Sequence, residues 1–215
     1  MTDIAPEAIF QFGVLFLSLA LFFAVKAIPI EAVSTKLRSK VKSSKAQASR
    51  HFLHGAHLLS RAKSTSNRAN SISLAHQAIS EANKSISLQP RDAAAYILKA
   101  LAFDLQGHKL SAIKSLDLAL SPPAVRSLAD RERGDALYKR AEIQLSVNKR
   151  RRVESAMGDL VEAVKLSSDN SKAYDLLGRC YEMKGLKDEA QRAFETARKV
   201  EERPVVRDRT DTSEF

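Results

Sequence analysis

The chain has 215 residues and a formal net charge of +10; 44% of its residues are hydrophobic and only 7 are glycine. An apolar share of this size excludes a wholly disordered chain, and the low glycine content favours helices over sheets. The single cysteine, Cys180, cannot close an intramolecular disulfide or form a thiolate metal site by itself.

The beginning of the chain contains an apolar run that predicts a membrane anchor. Residues 8–25 carry no charge and include five of the nine phenylalanines. At about 1.5 Å per residue, a helix that continues to Ile28 spans roughly 30 Å, the thickness of a hydrocarbon core. A buried helix of a soluble domain and a cleavable signal are the alternatives. The rest of the chain is too small to surround such a helix, which argues against a buried helix of a soluble domain. The residues before the apolar run lack positive charge, which argues against a cleavable signal. We therefore predict a tail and a single transmembrane helix over residues 1–28.

A basic segment follows the predicted anchor. Residues 26–63 hold nine Lys or Arg against Glu31 alone, whereas no base precedes Lys26. The positive-inside rule then predicts that the C-terminal domain faces the cytosol, at the ER or another organelle membrane, with the mitochondrial outer membrane and the plastid envelope as alternatives. We interpret residues 29–46 as a basic linker that could also contact anionic headgroups. The bases assigned to that contact are Lys36, Arg38, Lys40, Lys42 and Lys45.

The remainder of the chain predicts only helices. Apolar residues recur at three- and four-residue spacing between polar gaps, the pattern of amphipathic helices. After the anchor helix at 7–28, we predict helices at about 31–63, 72–88, 93–106, 109–120, 129–147, 153–167, 171–184 and 187–201. Polar turns are expected at Ser121–Asp130 and at the basic run Lys149–Arg152. The tail, residues 202–215, mixes charges around Pro204 and is predicted to be disordered.

An internal repeat runs through these helices. One unit places small and large residues at fixed offsets, namely Tyr174, Leu177, Gly178, Tyr181, Ala190, Phe194 and Ala197. The same offsets recur from Tyr96 and, with three extra residues, from Leu137; an earlier unit keeps only a second half with Ala78 and Ala82. Small residues at this spacing allow close packing of paired helices, and Gly107 and Gly185 are expected at the turns, where a positive φ favours glycine.

This pattern resembles the tetratricopeptide repeat (TPR) family. The resemblance covers residues 47–201 in units at about 47–90, 93–123, 134–168 and 171–201, and it implies an all-α fold, an α-solenoid of helix hairpins. The chain departs from the family at the proline that usually closes a unit, where Ser168 and Glu202 stand, and at Gln144, where an aromatic residue is usual. The anchor followed by degenerate repeats is also similar to single-anchor TPR-like proteins of land plants.

The resemblance implies a protein or peptide partner in a concave groove. The positions that would face it are Ile97, Leu101, Asp104, Tyr138, Glu142, Lys172, Asp175 and Arg179. A TPR subclass grips chaperone C-terminal carboxylates with lysines, asparagines and an arginine. Its positions correspond here to Ile97, Leu101, Lys139, Lys172 and Leu176, of which only Lys172 agrees. We therefore predict that this chain is not a carboxylate clamp.

No constellation of catalytic residues is evident, so we predict no enzymatic activity, no cofactor and no metal. His51, His54 and His57 recur every third residue, but no carboxylate or thiol joins them at helical spacing. Cys180 is expected to be packed and inert. The basic run Lys149–Arg152 has no interleaved aromatics, which argues against a nucleic-acid partner.

Two functions fit these patterns. The first is a membrane-anchored adaptor or scaffold whose groove recruits a partner at the cytosolic face of an organelle. The second is a structural subunit of a membrane complex, with the repeats packed permanently against neighbours. The second predicts poor solubility or self-association of the isolated repeat domain, because no polar capping helix follows the last repeat. An exposed apolar end around Phe194 and Val200 would fit this alternative.

Overall fold

A computed structural model describes the backbone of residues 30–202 and the side chains of residues 42–202. The predicted anchor and the tail beyond Glu202 lie outside the described residues. The chain divides into two compact units, Met1–Lys45 and Ala46–Phe215. Within residues 30–202, none of the helices is long and apolar enough to cross a membrane.

The described residues form eight α-helices and no strand, which confirms the all-α class. Short turns join the helices, except between α4 and α5, where a 3₁₀ helix occupies Ala124–Ser127. The α-helices are α1 (Ile30–Ser64), α2 (Arg68–Leu88), α3 (Ala93–Gln106), α4 (Lys109–Leu120), α5 (Asp130–Val147), α6 (Lys149–Leu166), α7 (Ser171–Met183) and α8 (Lys187–Glu201).

Three clusters of the core are each shared by one helix pair and the first helix of the next pair. Leu58 of α1, Ala78 of α2 and Leu98 of α3 belong to one cluster. A second cluster joins α3, α4 and α5 around Leu116. A third joins α5, α6 and α7 around Leu160. Burial that passes from pair to pair in this way is the packing of an α-solenoid.

Small residues lie where the helices approach most closely, as the repeat predicted. Ala100 and Ala141 are fully buried. A Cβ on Gly178 would stand 2.6 Å from the Phe194 ring, so only glycine allows α7 and α8 their present separation. Gly107 and Gly185 have φ values of 84° and 78°, which confirms the two predicted glycine turns.

The basic run Lys149–Arg152 was predicted to be a surface turn, and this prediction is wrong. The run forms the first turn of α6, and Asn148 is the single residue between α5 and α6. Asn148 ends α5 and also caps α6, because its side-chain oxygen accepts a hydrogen bond from the Arg151 N–H at 3.0 Å. Lysine and arginine are good helix formers, so the extra residues lengthen the helices instead of forming a loop.

Candidate functional site

A groove opens along the first helices of successive pairs. It has a volume of about 670 Å³, within the usual range for ligand pockets. Its walls come from α1, α3, α5 and the start of α7. The lining residues are Phe52, Ala56, Leu59, Ser60, Lys63, Ala94, Ile97, Leu98, Leu101, Leu128, Glu132, Asp135, Ala136, Tyr138, Lys139, Asn170 and Lys172.

The floor of the groove is apolar. Phe52 of α1, Ile97 and Leu101 of α3, and Tyr138 of α5 are each half-buried, so each keeps part of its side chain in contact with solvent. Phe52, Ile97 and Tyr138 occupy equivalent positions of three successive repeats, and Leu101 lies one helical turn after Ile97. The result is a continuous apolar strip that can pack against an extended chain or a helix.

Four of the predicted groove residues line this cavity: Ile97, Leu101, Tyr138 and Lys172. Asp104, Glu142, Asp175 and Arg179 are not among its lining residues. The four polar residues participate instead in ion pairs beside the groove, described next.

Asp104 and Glu142 hold the groove residue Lys139. The Lys139 Nζ lies 3.0 Å from Asp104 Oδ2 and 2.6 Å from Glu142 Oε2. Burial alone would raise the pKa of the Asp104 carboxyl, but hydrogen bonds from Lys109 and Lys139 outweigh burial and lower it. Burial would lower the pKa of Lys139, and its bonds to Glu142 and Asp104 raise it instead. The network joins α3 to α5 and leaves the Lys139 charge paired.

Asp175 and Arg179 pair with each other on α7. Arg179 Nη2 lies 2.9 Å from Asp175 Oδ2, and 64% of the Arg179 side chain is exposed.

Burial raises the pKa of the Tyr138 hydroxyl, and the charges of Glu142 and Asp175 raise it further. Tyr138 therefore stays protonated and can donate a hydrogen bond at physiological pH.

The acidic residues of the groove also have local partners. The Glu132 carboxylate accepts a hydrogen bond from the Ala129 N–H at 3.0 Å and caps α5. The Asp135 carboxylate accepts one from Asn170 Nδ2 at 3.1 Å. In contrast, Lys63 and Lys172 are exposed, and neither has an ion-pair or hydrogen-bond partner among residues 42–202.

Sequence reasoning missed the contribution of α1 to the groove. Gly55 and Leu58 repeat the spacing of Gly178 and Tyr181, which places Phe52 and Ala56 at the positions of Ile97 and Leu101. A Cβ on Gly55 would lie 2.9 Å from Leu98 Cδ2, so this glycine is also a close-packing position. This spacing is present in the sequence, but eleven extra residues between the two halves of the leading unit obscured it.

The predicted membrane-surface bases lie in α1. The side chains of Lys36, Arg38 and Lys40 are outside the described residues, while Lys42 and Lys45 are both exposed. Their proposed contact with anionic headgroups stays a prediction.

The histidine group has a carboxylate neighbour that helical spacing did not reveal. Glu81 comes from α2, and its Oε2 lies 2.6 Å from His51 Nδ1 and 3.6 Å from His54 Nδ1. A bond from Lys84 lowers the pKa of Glu81 to about 2 against the opposing effect of burial, and His51 contributes to the lowering. Among the described residues, no group of three or more metal-ligating side chains is placed to hold a metal ion. The group ties α1 to α2.

Comparison with solved structures identifies the fold. The structure of MamA aligns with a TM-score of 0.52 and 24% identity over 80% of this chain and 92% of that one. The MamA RS-1 ArsTM double mutant aligns with a TM-score of 0.55 and 18% identity over 87% and 93%. YrrB, described as a TPR protein with an unusual peptide-binding site, aligns with a TM-score of 0.50 and 21% identity over 60% and 62%. No family model and no curated protein matches the sequence.

These similarities show a fold and do not establish an activity. Over its described residues, the chain is an all-helical repeat protein with a TPR-like solenoid.

Proposed function

We propose that this protein is an adaptor that binds a protein or peptide segment in the groove between α1, α3, α5 and α7. The observation that carries the proposal is the partly exposed apolar floor built by Phe52, Ile97, Leu101 and Tyr138. Such a strip loses contact with water when an apolar segment lies on it, and the hydrophobic effect then favours binding. The peptide-binding site of YrrB supports the same use of a similar fold.

We further propose that the adaptor is anchored in an organelle membrane by residues 1–28, with its repeat domain in the cytosol and no catalytic role. The uncharged run 8–25 and the basic residues after it support this arrangement. In this proposal the protein concentrates a cytosolic partner at the membrane surface. The ER or another organelle membrane would host it, with the mitochondrial outer membrane and the plastid envelope as alternatives.

The alternative function, a permanently packed structural subunit, would fit an exposed apolar end around Phe194 and Val200. Both residues are half-buried, like the side chains of the groove floor, and the turn between α7 and α8 leaves Met183 and Leu186 exposed at 46% and 40%. The outer surface of α8 is polar, with pairs between Arg192 and Glu189 and between Arg198 and Glu202. This end of the described repeats therefore carries both polar pairs and exposed apolar side chains, and it is the apolar groove that favours the adaptor over the alternative.

Site-specific photo-crosslinking tests the adaptor. A photoreactive amino acid replaces Leu101 in the groove, and in a matched control it replaces Leu118, which is 56% exposed on α4 and outside the groove. We expect a discrete crosslinked partner from position 101, and we expect it to disappear when Ile97→Arg blocks the floor. Equal crosslinking from both positions would contradict the proposal.

Protease protection tests the orientation. Membranes containing the full chain with a tag after Phe215 are treated with protease without detergent. We expect digestion of the tag together with retention of the protein in the membrane pellet. A protected tag would show that the repeats do not face the cytosol.

A further inference from the structure

The turns inside the four helix pairs lie along one edge of the repeat domain, because the first helices of the pairs lie side by side along the groove. Gln106 Nε2 donates a hydrogen bond to the Ile72 carbonyl at 3.3 Å and joins the first two turns. Phe103 and Ile143 pack in one cluster, which joins the second turn to the third, and Lys184 pairs with α6 between the third and the fourth. We call this edge the turn edge, and it comprises residues 61–71, 103–112, 144–154 and 180–190.

Exposed apolar side chains concentrate at the turn edge. Seven large apolar side chains are exposed among residues 42–202, and four of them lie there. These four are Leu110, Val147, Met183 and Leu186, exposed at 56%, 37%, 46% and 40%. The opposite edge, where consecutive pairs are joined, comprises residues 85–95, 117–133, 163–173 and 198–202. Of the seven side chains, that edge holds Leu118 alone. Apolar groups gathered on one surface mark an interaction site.

The turn edge is basic, and the opposite edge is nearly neutral. The turn edge holds ten bases and five acids, a net charge of +5, whereas the opposite edge holds eight bases and seven acids, a net charge of +1. Three of the five acids of the turn edge have ion-pair partners within the fold. Glu182 and Asp188 are exposed and have none among residues 42–202. These two carboxylates lie beside the fourth turn, so the excess of positive charge is largest at the first and third turns.

The third turn projects its charge furthest. Helix α6 begins seven residues before Ala156, whereas α4 and α8 begin three residues before the equivalent Ala112 and Ala190. The four additional residues, Lys149–Arg152, form one extra helical turn, about 6 Å long. The first three of these bases are exposed, and none has an ion-pair partner among residues 42–202. Their uncompensated charge therefore lies beside the exposed side chain of Val147.

We propose that the turn edge docks on an anionic bilayer surface, as a second membrane contact of the protein. Leu110, Val147, Met183 and Leu186 would enter the interfacial region of the bilayer, and the bases Lys149–Arg151 would pair with lipid phosphates. The exposed apolar side chains favour a bilayer over a nucleic acid, because only a bilayer offers them an apolar phase next to a negative surface.

Docking at this edge would leave the groove accessible. Lys63 is the one turn-edge residue that lines the groove, so the apolar floor stays free. The inference therefore goes beyond the proposed function, and it holds whichever segment the groove binds. A single anchor leaves a domain free to rotate above a membrane, whereas a second contact would fix the direction in which the groove opens.

The size of the effect follows from the number of bases. Each base near an anionic surface strengthens attachment by about fivefold, so the loss of two bases should lower the ratio of docked to undocked protein by about 10- to 30-fold. Raised salt should lower the same ratio, because it screens the attraction.

Position-specific fluorescence tests this inference with the full-length protein in vesicles. In a Cys180→Ala background, an environment-sensitive dye is attached at Leu186→Cys on the turn edge or, as a matched control, at Leu118→Cys on the opposite edge. The vesicles contain phosphatidylcholine alone or phosphatidylcholine mixed with phosphatidylserine. Some acyl chains carry bromine, which quenches a dye that reaches the apolar part of the bilayer.

We expect quenching and a shift of the emission to shorter wavelengths at position 186 on phosphatidylserine vesicles, and neither at position 118. Arg150→Gln/Arg151→Gln should suppress both signals at position 186. The control Lys114→Gln/Lys199→Gln removes two exposed bases outside the turn edge and should leave both signals unchanged.

Three results would overturn the proposal. Position 186 could behave alike on the two lipid mixtures while the protein stays in the vesicle pellet, which would leave the proposed anchor and adaptor intact. Release of the protein from both kinds of vesicle would contradict the proposed anchor as well. An equal emission shift when a DNA duplex is added to phosphatidylcholine vesicles would identify the basic run as a nucleic-acid surface.

Discussion

The ion pair between Arg140 and Asp159 gives the sharpest stability prediction. Arg140 donates from Nε and Nη2 to the two Asp159 oxygens at 2.8 and 2.6 Å, so the pair is bidentate and joins α5 to α6. Only 20% of the Arg140 side chain and 11% of the Asp159 side chain are exposed. Substitution Arg140→Met keeps the apolar stem and removes the donors. It leaves Asp159 with a single long contact, to Gln144 Nε2 at 3.5 Å.

Breaking a buried pair costs about 3–5 kcal/mol because the remaining charge has no partner. Since Arg140 retains some exposure, we expect Arg140→Met to lower the free energy of unfolding by about 2–4 kcal/mol. Arg133 pairs with Glu162 across the same two helices, but these side chains are 41% and 45% exposed. The matched variant Arg133→Met should therefore cost less than about 1 kcal/mol.

Urea unfolding followed by far-ultraviolet circular dichroism measures both variants. The double variant Arg140→Met/Asp159→Leu should recover most of the loss, because it removes the uncompensated carboxylate together with its partner. Equal losses for Arg140→Met and Arg133→Met would contradict the prediction, because burial would then not determine how much these ion pairs stabilise the fold.

Three further predictions follow from single residues. The pKa of Glu81 is lowered to about 2 from an ordinary value of 4.5, so its contribution to stability is present above pH 4.5 and is lost as the pH falls towards 2. Glu81→Gln should therefore flatten the acid limb of a curve of unfolding free energy against pH. An unchanged acid limb would refute this prediction. Burial raises the pKa of the Cys180 thiol to about 11, so the native protein should react slowly with a thiol reagent and the urea-unfolded protein quickly. Fast labelling of the native protein would contradict the packing of α7. Gly107→Ala and Gly185→Ala should each lower the free energy of unfolding by about 1–2 kcal/mol, because both glycines have positive φ values. The control Gly158→Ala lies inside α6 with open space around it and should raise that free energy by about 0.5–1 kcal/mol. Thermal melts that rank the three variants alike would contradict the assigned turns.

The repeat register was predictable because every helix pair has the same packing requirement. A small residue is required wherever two helices approach closely, so Ala100, Ala141 and Gly178 mark those places in the sequence. The same register places Ile97 and Tyr138 one position after the start of each unit, and both line the groove. At these positions, the residue type that the spacing within a unit predicts is also the residue type that tertiary packing requires.

The remaining features depend on contacts between helices that sequence spacing does not encode. The extra residues at Lys149–Arg152 are compatible with either a loop or longer helices, and the cap formed by Asn148 favours the helices. The pairing of Lys139 with Asp104 joins separate repeats. Once these contacts are known, Lys63 and Lys172 stand apart as the unpaired lysines of the groove.

Methyl NMR would test the central claim, that the groove is the binding surface, most directly. The partner segment identified by crosslinking from position 101 is titrated as a synthetic peptide into the full-length protein carrying labelled leucine and isoleucine methyl groups. Binding in the groove should give saturable shifts at Leu59, Ile97 and Leu101, and it should leave the signals of Leu110 and Leu118, each 56% exposed on α4, unchanged. Shifts confined to Leu110 and Leu118 would place the binding surface on α4 and contradict binding in the groove.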